Sequence, residues 1–266
     1  MIEHTTGNLL EADAEALVNT VNTVGVMGKG IALQFRQGYP ENYEAYRKAC
    51  AQGEVQPGRM FVFATGTLTN PRYIINFPTK RHWKGKTKIQ DVRDGLQALI
   101  AEVKAREIKS IAVPPLGCGN GGLDWNEVRP MIETAFAELP DVCVLLFAPD
   151  GSPRADKMRI ATTRPNMTQG RAALLAVLEN YQLPGYRLSV LEVQKLGYFL
   201  QAAGEPLKLN YVKDQYGPYA ENVHHVLQRI DGHFITGYGD RTQAAAGKSI
   251  SLRSEAVVEA KEFFSR

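Results

Sequence analysis

The feature that most constrains this chain is a pair of short runs, IAVPP at 111–115 and VCVLLFA at 142–148, that are apolar throughout instead of alternating with polar residues. A strand built this way has two greasy faces and must be covered on both, which is the condition of a largely parallel sheet between layers of helix. Three further runs read as strands: ALVNTVN (16–22), MFVFATG (60–66) and YIINFPT (73–79). They are interleaved with the helical patterns IALQFRQGYPENYEAYRKAC, IQDVRDGLQALIAEVKAR and WNEVRPMIETAFAEL. Strand and helix therefore alternate along the first part of the chain. This predicts an α/β fold, a three-layer α/β/α domain ending near Pro149, over residues 1–150.

Beyond it, DGSPRADKMRIATTRPNMTQG (150–170) is polar, holds two prolines and two glycines, and has no periodicity, so residues 151–169 read as a linker. From 170 to 266 the patterns RAALLAVLENYQ and SVLEVQKLGYFLQAAG are helical, with Ser189 and Glu192 spaced as a capping box. A smaller, mainly helical domain is expected there. Most of Tyr198, Tyr211, Tyr216 and Tyr219 fit as its aromatic core, and adjacent His224 and His225 diverge on a helix and make a poor metal pair. SEAVVEAKEFFSR is still helical at the last residue, as in a chain truncated from a longer one.

The net charge of +3 argues for no particular partner, although the 16 Lys+Arg and 17 Asp+Glu of residues 1–150 leave the excess of base to the remainder. Three cysteines, Cys50, Cys118 and Cys143, lack CxxC or Cys/His spacing, which points away from disulfides and zinc and toward a reducing cytoplasm. No apolar stretch reaches the length of roughly 18 residues that a membrane helix requires, and the N-terminus lacks the pattern of a signal peptide.

Two glycine-rich loops follow strands. In NTVGVMGKGIALQF, Gly25, Gly28 and Gly30 lead into a helix, where backbone N–H groups and the helix N-terminus favour an anion. It is neither a Walker A loop nor GxGxxG, and a plain structural turn is the competing reading. In PPLGCGNGGLDW, Gly117, Gly119, Gly121 and Gly122 exceed the needs of a tight turn and suggest a phosphate-holding nest. Two such cradles at strand ends suit a diphosphate. Within the second, Cys118 reads as a packing residue, and Asp124 as the cap of the following helix. Between the loops lies INFPTKRHWKGKTK, where Lys80, Arg81, Lys84, Lys86 and Lys88 surround His82 and Trp83. A solvated basic loop is the simplest account of it.

Together, GNLLEADAEALVNTVN, VGVMGKGIALQF and SIAVPPLGCGNGGLDWNEV resemble the macrodomain, an ADP-ribose-binding α/β/α module with a mixed central sheet. NFPTK followed by basic residues resembles its lysine-dependent branch, and the helical tail after it is similar in arrangement to the DarG-type antitoxins, which remove ADP-ribose from DNA thymidines modified by a cognate toxin. The resemblance implies Lys80 and Asn22 as catalytic residues. It implies ADP-ribose contacts from Asn8, Leu9, Val26, Met27, Gly28, Gly30, Ile31, Thr79, Leu116, Gly117, Cys118, Gly119, Asn120 and Gly121. It further implies no metal or other cofactor, and as partners ADP-ribosylated single-stranded DNA, ADP-ribose and a DNA ADP-ribosyltransferase toxin bound by the helical domain. The chain departs from the family in having Asn8 where many macrodomains carry an adenine-contacting aspartate, and Gly121 where the protein-directed relative carries an aspartate.

On this reading the basic loop gains a purpose. Arg81, His82, Trp83 and Lys84 are expected to contact DNA, with cations on phosphates and Trp83 stacked on a base. Lys80 would either protonate the departing base or attack the anomeric carbon. Three other functions share parts of this pattern: a protein-directed ADP-ribosyl glycohydrolase, a non-catalytic ADP-ribose-binding module, and a toxin-binding protein whose macrodomain is incidental.

Overall fold

A computed structural model describes residues 1–182, 186, 188–242 and 249–265. The chain divides into two compact units: residues 1–153 with 159–162, and residues 154–158 with 163–266. The segment expected to be a linker is thus shared between them. Ala161 N–H donates to the Gln37 carbonyl at 2.8 Å within the first unit, and the short helical turn Ala155–Lys157 belongs to the second.

The first unit is built on a six-stranded sheet. In chain order it contains β1 (Ile2–Thr5), β2 (Ala16–Asn22), α1 (Gly30–Gly38), α2 (Pro40–Ala51), β3 (Phe61–Ala64), β4 (Tyr73–Lys80), α3 (Ile89–Ala105), β5 (Ser110–Val113), α4 (Trp125–Phe136) and β6 (Cys143–Phe147). The strands lie in the order β1-β6-β5-β2-β4-β3; β3 runs antiparallel to β4 at one edge and the other pairings are parallel. The mixed sheet agrees with the macrodomain resemblance. Strand β1 was not expected, because IEHT is short and half polar; it is secured by its register against Val144 to Phe147. The single helix expected over 31–50 is two, broken at Tyr39, because Pro40 cannot supply the N–H that a continuous helix needs and instead opens α2.

Alternate residues of the central strands serve opposite layers. Ala16, Val18, Ile75, Phe77, Ile111 and Val113 pack beneath α3 and α4 with Val92, Leu96, Leu99, Val128 and Ile132. On the other face Leu17 and Ile74 meet Leu9, Leu10, Phe35 and Tyr39, while Val21 and Met27 pack with Tyr46 and Ala49 of α2. Two polar residues interrupt this second face. Asn19 donates to Asn76 at 3.0 Å, and Asn76 donates to Asn42 at 2.7 Å, so a chain of buried amides links β2, β4 and α2, with Asn19 Oδ1 left without a partner among the described residues.

The second unit contains α5 (Gln169–Tyr181), α6 (Val190–Ala202), β7 (Val212–Asp214), β8 (Gly217–Tyr219), α7 (Glu221–Ile230), β9 (Ile235–Thr236), β10 (Ser251–Leu252) and α8 (Ser254–Phe264). Its helices surround a core of Leu174, Leu175, Leu178, Val193, Leu227, Ile230 and Phe234. The capping box at Ser189 and Glu192 is present in both directions. Of the four tyrosines, most of which were expected in this core, Tyr211 packs against it, Tyr198 and Tyr219 are half-buried, and Tyr216 is 64% exposed at the turn between β7 and β8. His224 is held between the hydroxyls of Tyr238 and Tyr219, at 2.8 and 3.1 Å, while His225 is exposed. Among the described residues no helix is long and apolar enough to cross a membrane.

One contact fixes the distance between α3 and the sheet. A methyl group added at Gly95 would sit 2.2 Å from the Phe77 ring. Overpacking of this kind costs roughly 1–3 kcal/mol, against up to about 1 kcal/mol gained from the better helix propensity of alanine. Gly95→Ala is therefore expected to lower stability by about 1–2 kcal/mol in urea unfolding, and Phe77→Leu in the same chain should recover part of the loss. An alanine variant as stable as the parent would show that this contact does not set the spacing.

Candidate active site

Because β5, β2 and β4 are parallel neighbours, the chain leaves all three at one edge of the sheet. The loops 23–29, 81–88 and 114–124 converge there. Asn22 and Lys80 face one another in register at the ends of β2 and β4. Thr79 is an extra residue on β4, since Val21 is opposite Pro78 and Asn22 opposite Lys80. Pro78 has no N–H to give a ladder, and a bulge beside it re-aims the residue that follows.

Lys80 donates from its ammonium to the carbonyl of Asn120, so it reaches across to the loop after β5. Partial burial there disfavours the charged amine and lowers its pKa from the ordinary lysine value. The loop that receives it is tightly stacked. Gly117 has φ +74°, and a Cβ there would lie 2.8 Å from Thr87 Cγ2. At Gly121 a Cβ would come within 2.1 Å of the Gly117 carbonyl oxygen and 2.3 Å of Thr87 Oγ1. Thr87 N–H in turn donates to the Gly121 carbonyl at 3.1 Å. Glycine is thus demanded by close approach at both positions, and Thr87 joins the lysine loop to the glycine loop. Among the described residues the N–H groups of Gly119, Asn120 and Gly121 have no backbone acceptor, which leaves a short run of donors from the exposed tip at Gly119 and Asn120 into buried Gly121.

The first glycine loop is shaped by Asn22. Its Oδ1 accepts from Val24 and Val26 N–H at 3.0 and 3.3 Å, and its Nδ2 donates to the Val26 carbonyl at 2.6 Å. Tyr46 donates to the Asn22 carbonyl at 2.6 Å, and deep burial keeps that phenol protonated. Asn22, expected to take part in catalysis, is 7% exposed with its amide committed to the loop, so it serves the site by fixing backbone. Thr23 Oγ1 donates to the Arg81 carbonyl at 2.7 Å and ties this loop to the next.

The remaining expected residues separate into lining and support. Leu9, Met27 and Leu116 have buried side chains and could meet a ligand only through backbone. Thr79 is buried as well. Asn8 caps the turn at Leu9–Glu11, accepting from Leu10 N–H at 3.1 Å. Val26, 38% exposed, and Gly28, Gly30 and Ile31 follow at the opening of α1. Desolvation, with a smaller contribution from Asp124, pushes the Cys118 thiol up to about 11, which suits a packing residue and not a nucleophile. Asp124 caps α4 by accepting from Asn126 N–H at 2.9 Å.

In the basic loop, Arg81 has a structural partner that the sequence did not reveal, although its side chain is still 57% exposed. Its guanidinium grips both oxygens of buried Asp91, at 2.6 and 3.0 Å, and thereby pins the loop to the first turn of α3. His82, Trp83 and Lys84 do project. The His82 and Trp83 rings stack at 5.5 Å, Lys84 Nζ lies 5.0 Å from the Trp83 ring centroid, and Trp83 is 50% exposed. Sequence reading missed Thr23, Tyr46, Thr87 and Asp91. Only the acidic first turn of α3 gave any signal for Asp91, and nothing in the chain announces the others.

A parallel-centred mixed sheet with two glycine loops at its carboxyl edge is the architecture of a macrodomain, and the Macro domain family model matches residues 18–132. The DNA ADP-ribosyl glycohydrolase of Thermus aquaticus is 50% identical over 263 residues, covering 99% of this chain and 72% of that protein. The structure titled macrodomain of Mycobacterium tuberculosis DarG is 55% identical with a TM-score of 0.56, covering 56% of this chain and 99% of the other. A Thermosipho africanus protein named as a DNA ADP-ribosyl transferase-DNA ADP-ribosyl glycohydrolase fusion is 32% identical over 54% of this chain and 40% of its own length. The chain belongs to the DarG-type family of macrodomain DNA ADP-ribosyl glycohydrolases.

The lowered pKa of Lys80 predicts early loss of its proton. Labelling with acetic anhydride across pH 7–11, read by mass spectrometry, should give Lys80 a reactivity midpoint below the roughly 10.4 of an unperturbed lysine. A midpoint at or above that value would mean the amine is not desolvated. Gly121→Ala, which forces the glycine loop off Thr87, should move the Lys80 midpoint back toward the ordinary value.

Proposed function

We propose that this protein removes ADP-ribose from thymidine bases of single-stranded DNA by hydrolysing the N-glycosidic bond. The observation that carries this reading is the position of Lys80. Its partly desolvated amine stands at the junction of three loops from adjacent parallel strands, next to an exposed His82-Trp83-Lys84 surface. The names of the relatives from Thermus aquaticus and Thermosipho africanus support the same reaction.

The division of labour follows from the geometry. Backbone of the two glycine loops holds the diphosphate and distal ribose, with the N–H groups of Gly119, Asn120 and Gly121 and the start of α1 as donors. Lys80 acts at the anomeric carbon of the ribose joined to the base. Two courses are open to its amine. As an ammonium it stabilises and protonates the departing base nitrogen while water adds to the anomeric carbon. As a free amine it bonds to that carbon as the base leaves with the electron pair and takes a proton; the amine then loses its extra proton, the ribose ring opens with its oxygen taking a proton to give an iminium on Lys80, and water hydrolyses that iminium to release the ribose. In this proposal no metal or other cofactor takes part, and water is the second reactant. Trp83 stacks on a base flanking the modified thymidine, and Lys84 meets its phosphate. The second unit, by arrangement, is proposed to bind a cognate DNA ADP-ribosyltransferase toxin, a pairing that the fused Thermosipho africanus relative supports.

The test is release of ADP-ribose from an ADP-ribosylated thymidine oligonucleotide, followed by mass spectrometry. Lys80→Ala should lose roughly 10²–10⁴ in rate, and borohydride during turnover should trap a covalent adduct on Lys80 only if the second course operates. Trp83→Ala should weaken KM for the oligonucleotide roughly tenfold to a hundredfold, the equivalent of about 1–3 kcal/mol of stacking. It should leave ADP-ribosylated thymidine, which has no neighbouring base, unaffected. ADP-ribose binding with no release from DNA would make the protein a reader, and release only from modified carboxylates of a protein would make it the protein-directed enzyme.

A further inference from the structure

The second unit contains a cavity of about 530 Å³ that the reaction does not use. Its walls come from α5, α6, α7 and the segment 205–209. Leu174, Val193, Leu207, Leu209, Val223 and Val226 make most of the lining apolar, while Arg171, Arg229 and His225 bring basic groups to it. Glu205, the one carboxylate in the lining, faces Gln169, whose Nε2 donates to it at 3.2 Å.

The two arginines are unlike their neighbours. Arg154, Arg164, Arg241 and Arg253 of this unit each pair with a carboxylate. Among the described residues Arg171 and Arg229 have no such partner; Arg171 donates only to the Asn166 carbonyl, and burial and the nearby Arg229 both lower its pKa. Arg229 is exposed and Arg171 half-buried; the two like charges repel one another and Arg171 also loses hydration, so an anion placed between them would relieve both costs.

The cavity is also built, not left over. Gly197 stands inside α6, where glycine costs roughly 1 kcal/mol relative to alanine, and Gly170 stands in the first turn of α5. A Cβ at Gly170 would lie 3.0 Å from Leu207, and one at Gly197 would lie 2.9 Å from the Tyr211 hydroxyl. The strap opposite them is clamped: Gln201 bonds Leu209 in both directions at 3.0 and 2.8 Å, and Tyr211 donates to the Gln194 carbonyl at 3.0 Å. A volume of this size falls within the roughly 300–1,000 Å³ of small-ligand sites, and the hollow opens to solvent on the side of exposed His225 and Arg229, which gives a ligand a way in and leaves its polar end near water.

We propose that this cavity binds a small apolar carboxylate, its hydrocarbon body on the leucine and valine floor and its carboxylate between Arg171 and Arg229. The proposal is independent of the reaction assigned to the first unit. The probes are octanoate, octanol and octylamine, titrated into the whole chain by calorimetry and thermal unfolding. Octanoate should bind saturably and raise Tm, octanol more weakly, and octylamine not at all. Arg171→Gln and Arg229→Gln should each weaken octanoate roughly tenfold to a hundredfold, as expected for loss of a charged hydrogen bond. Val226→Trp, which fills the hollow and leaves both arginines in place, should block octanoate and octanol alike. Circular dichroism of each variant checks that it is folded. Equal binding of octanol and octanoate, or octanoate binding untouched by the arginine and tryptophan variants, would overturn the proposal. So would the absence of saturable octanoate binding, including the case in which only a peptide with a free carboxyl end binds.

Discussion

Burial of the central sheet on both faces is the constraint from which the rest of the first unit follows. Strands β5, β2 and β4 cannot be linked by tight hairpins, because parallel neighbours require a crossover through a covering layer. Every crossover that leaves them begins at the same edge. Three loops are therefore forced together at the ends of β5, β2 and β4, and chemistry placed in any of them is placed near the others. Gly95 against Phe77 and the amides of Asn19, Asn42 and Asn76 set the spacing of the two layers on which this edge rests.

At that edge the structure spends most of its side chains on holding backbone. Asn22 and Tyr46 shape one loop, Thr87 packs into the hollow left by Gly117 and Gly121, and Asp91 fixes the basic loop through Arg81. Only a few groups are left to act: the Lys80 amine, donors of the glycine tip, and the exposed His82, Trp83 and Lys84. This economy fits a ligand dominated by phosphate and ribose, for which fixed N–H groups need no reorganisation when charge develops.

Much of this was legible in the chain, and the reasons differ by element. Strands β5 and β6 were readable because apolar residues on both faces have few other uses, and Gly117 and Gly121 because a glycine cluster has a steric cause. Strand β1 was not, since four half-polar residues form a strand only when β6 offers an edge. The break at Pro40 could have been read from the proline alone. The Arg81–Asp91 pair was not readable because a charge is visible in sequence while its partner ten residues away is not. Which of the four tyrosines pack inside was not readable from spacing: Tyr211 meets the core, while the turn between β7 and β8 leaves Tyr216 in water.

The sequence by itself determined the layered α/β architecture, the two glycine cradles, and the lysine set in a basic, aromatic loop. It could do so because hydrophobic period, glycine spacing and charge are local properties of a chain. Tertiary structure alone decided which residue faces which: that Asn22 ends beside Lys80, that Lys80 reaches Asn120, that Thr87 locks two loops together, and that Arg171 and Arg229 line one hollow without either pairing, among the described residues, with a carboxylate. Such pairings join residues far apart in sequence, and their geometry is fixed only when the sheet register and helix packing have set the distances between them.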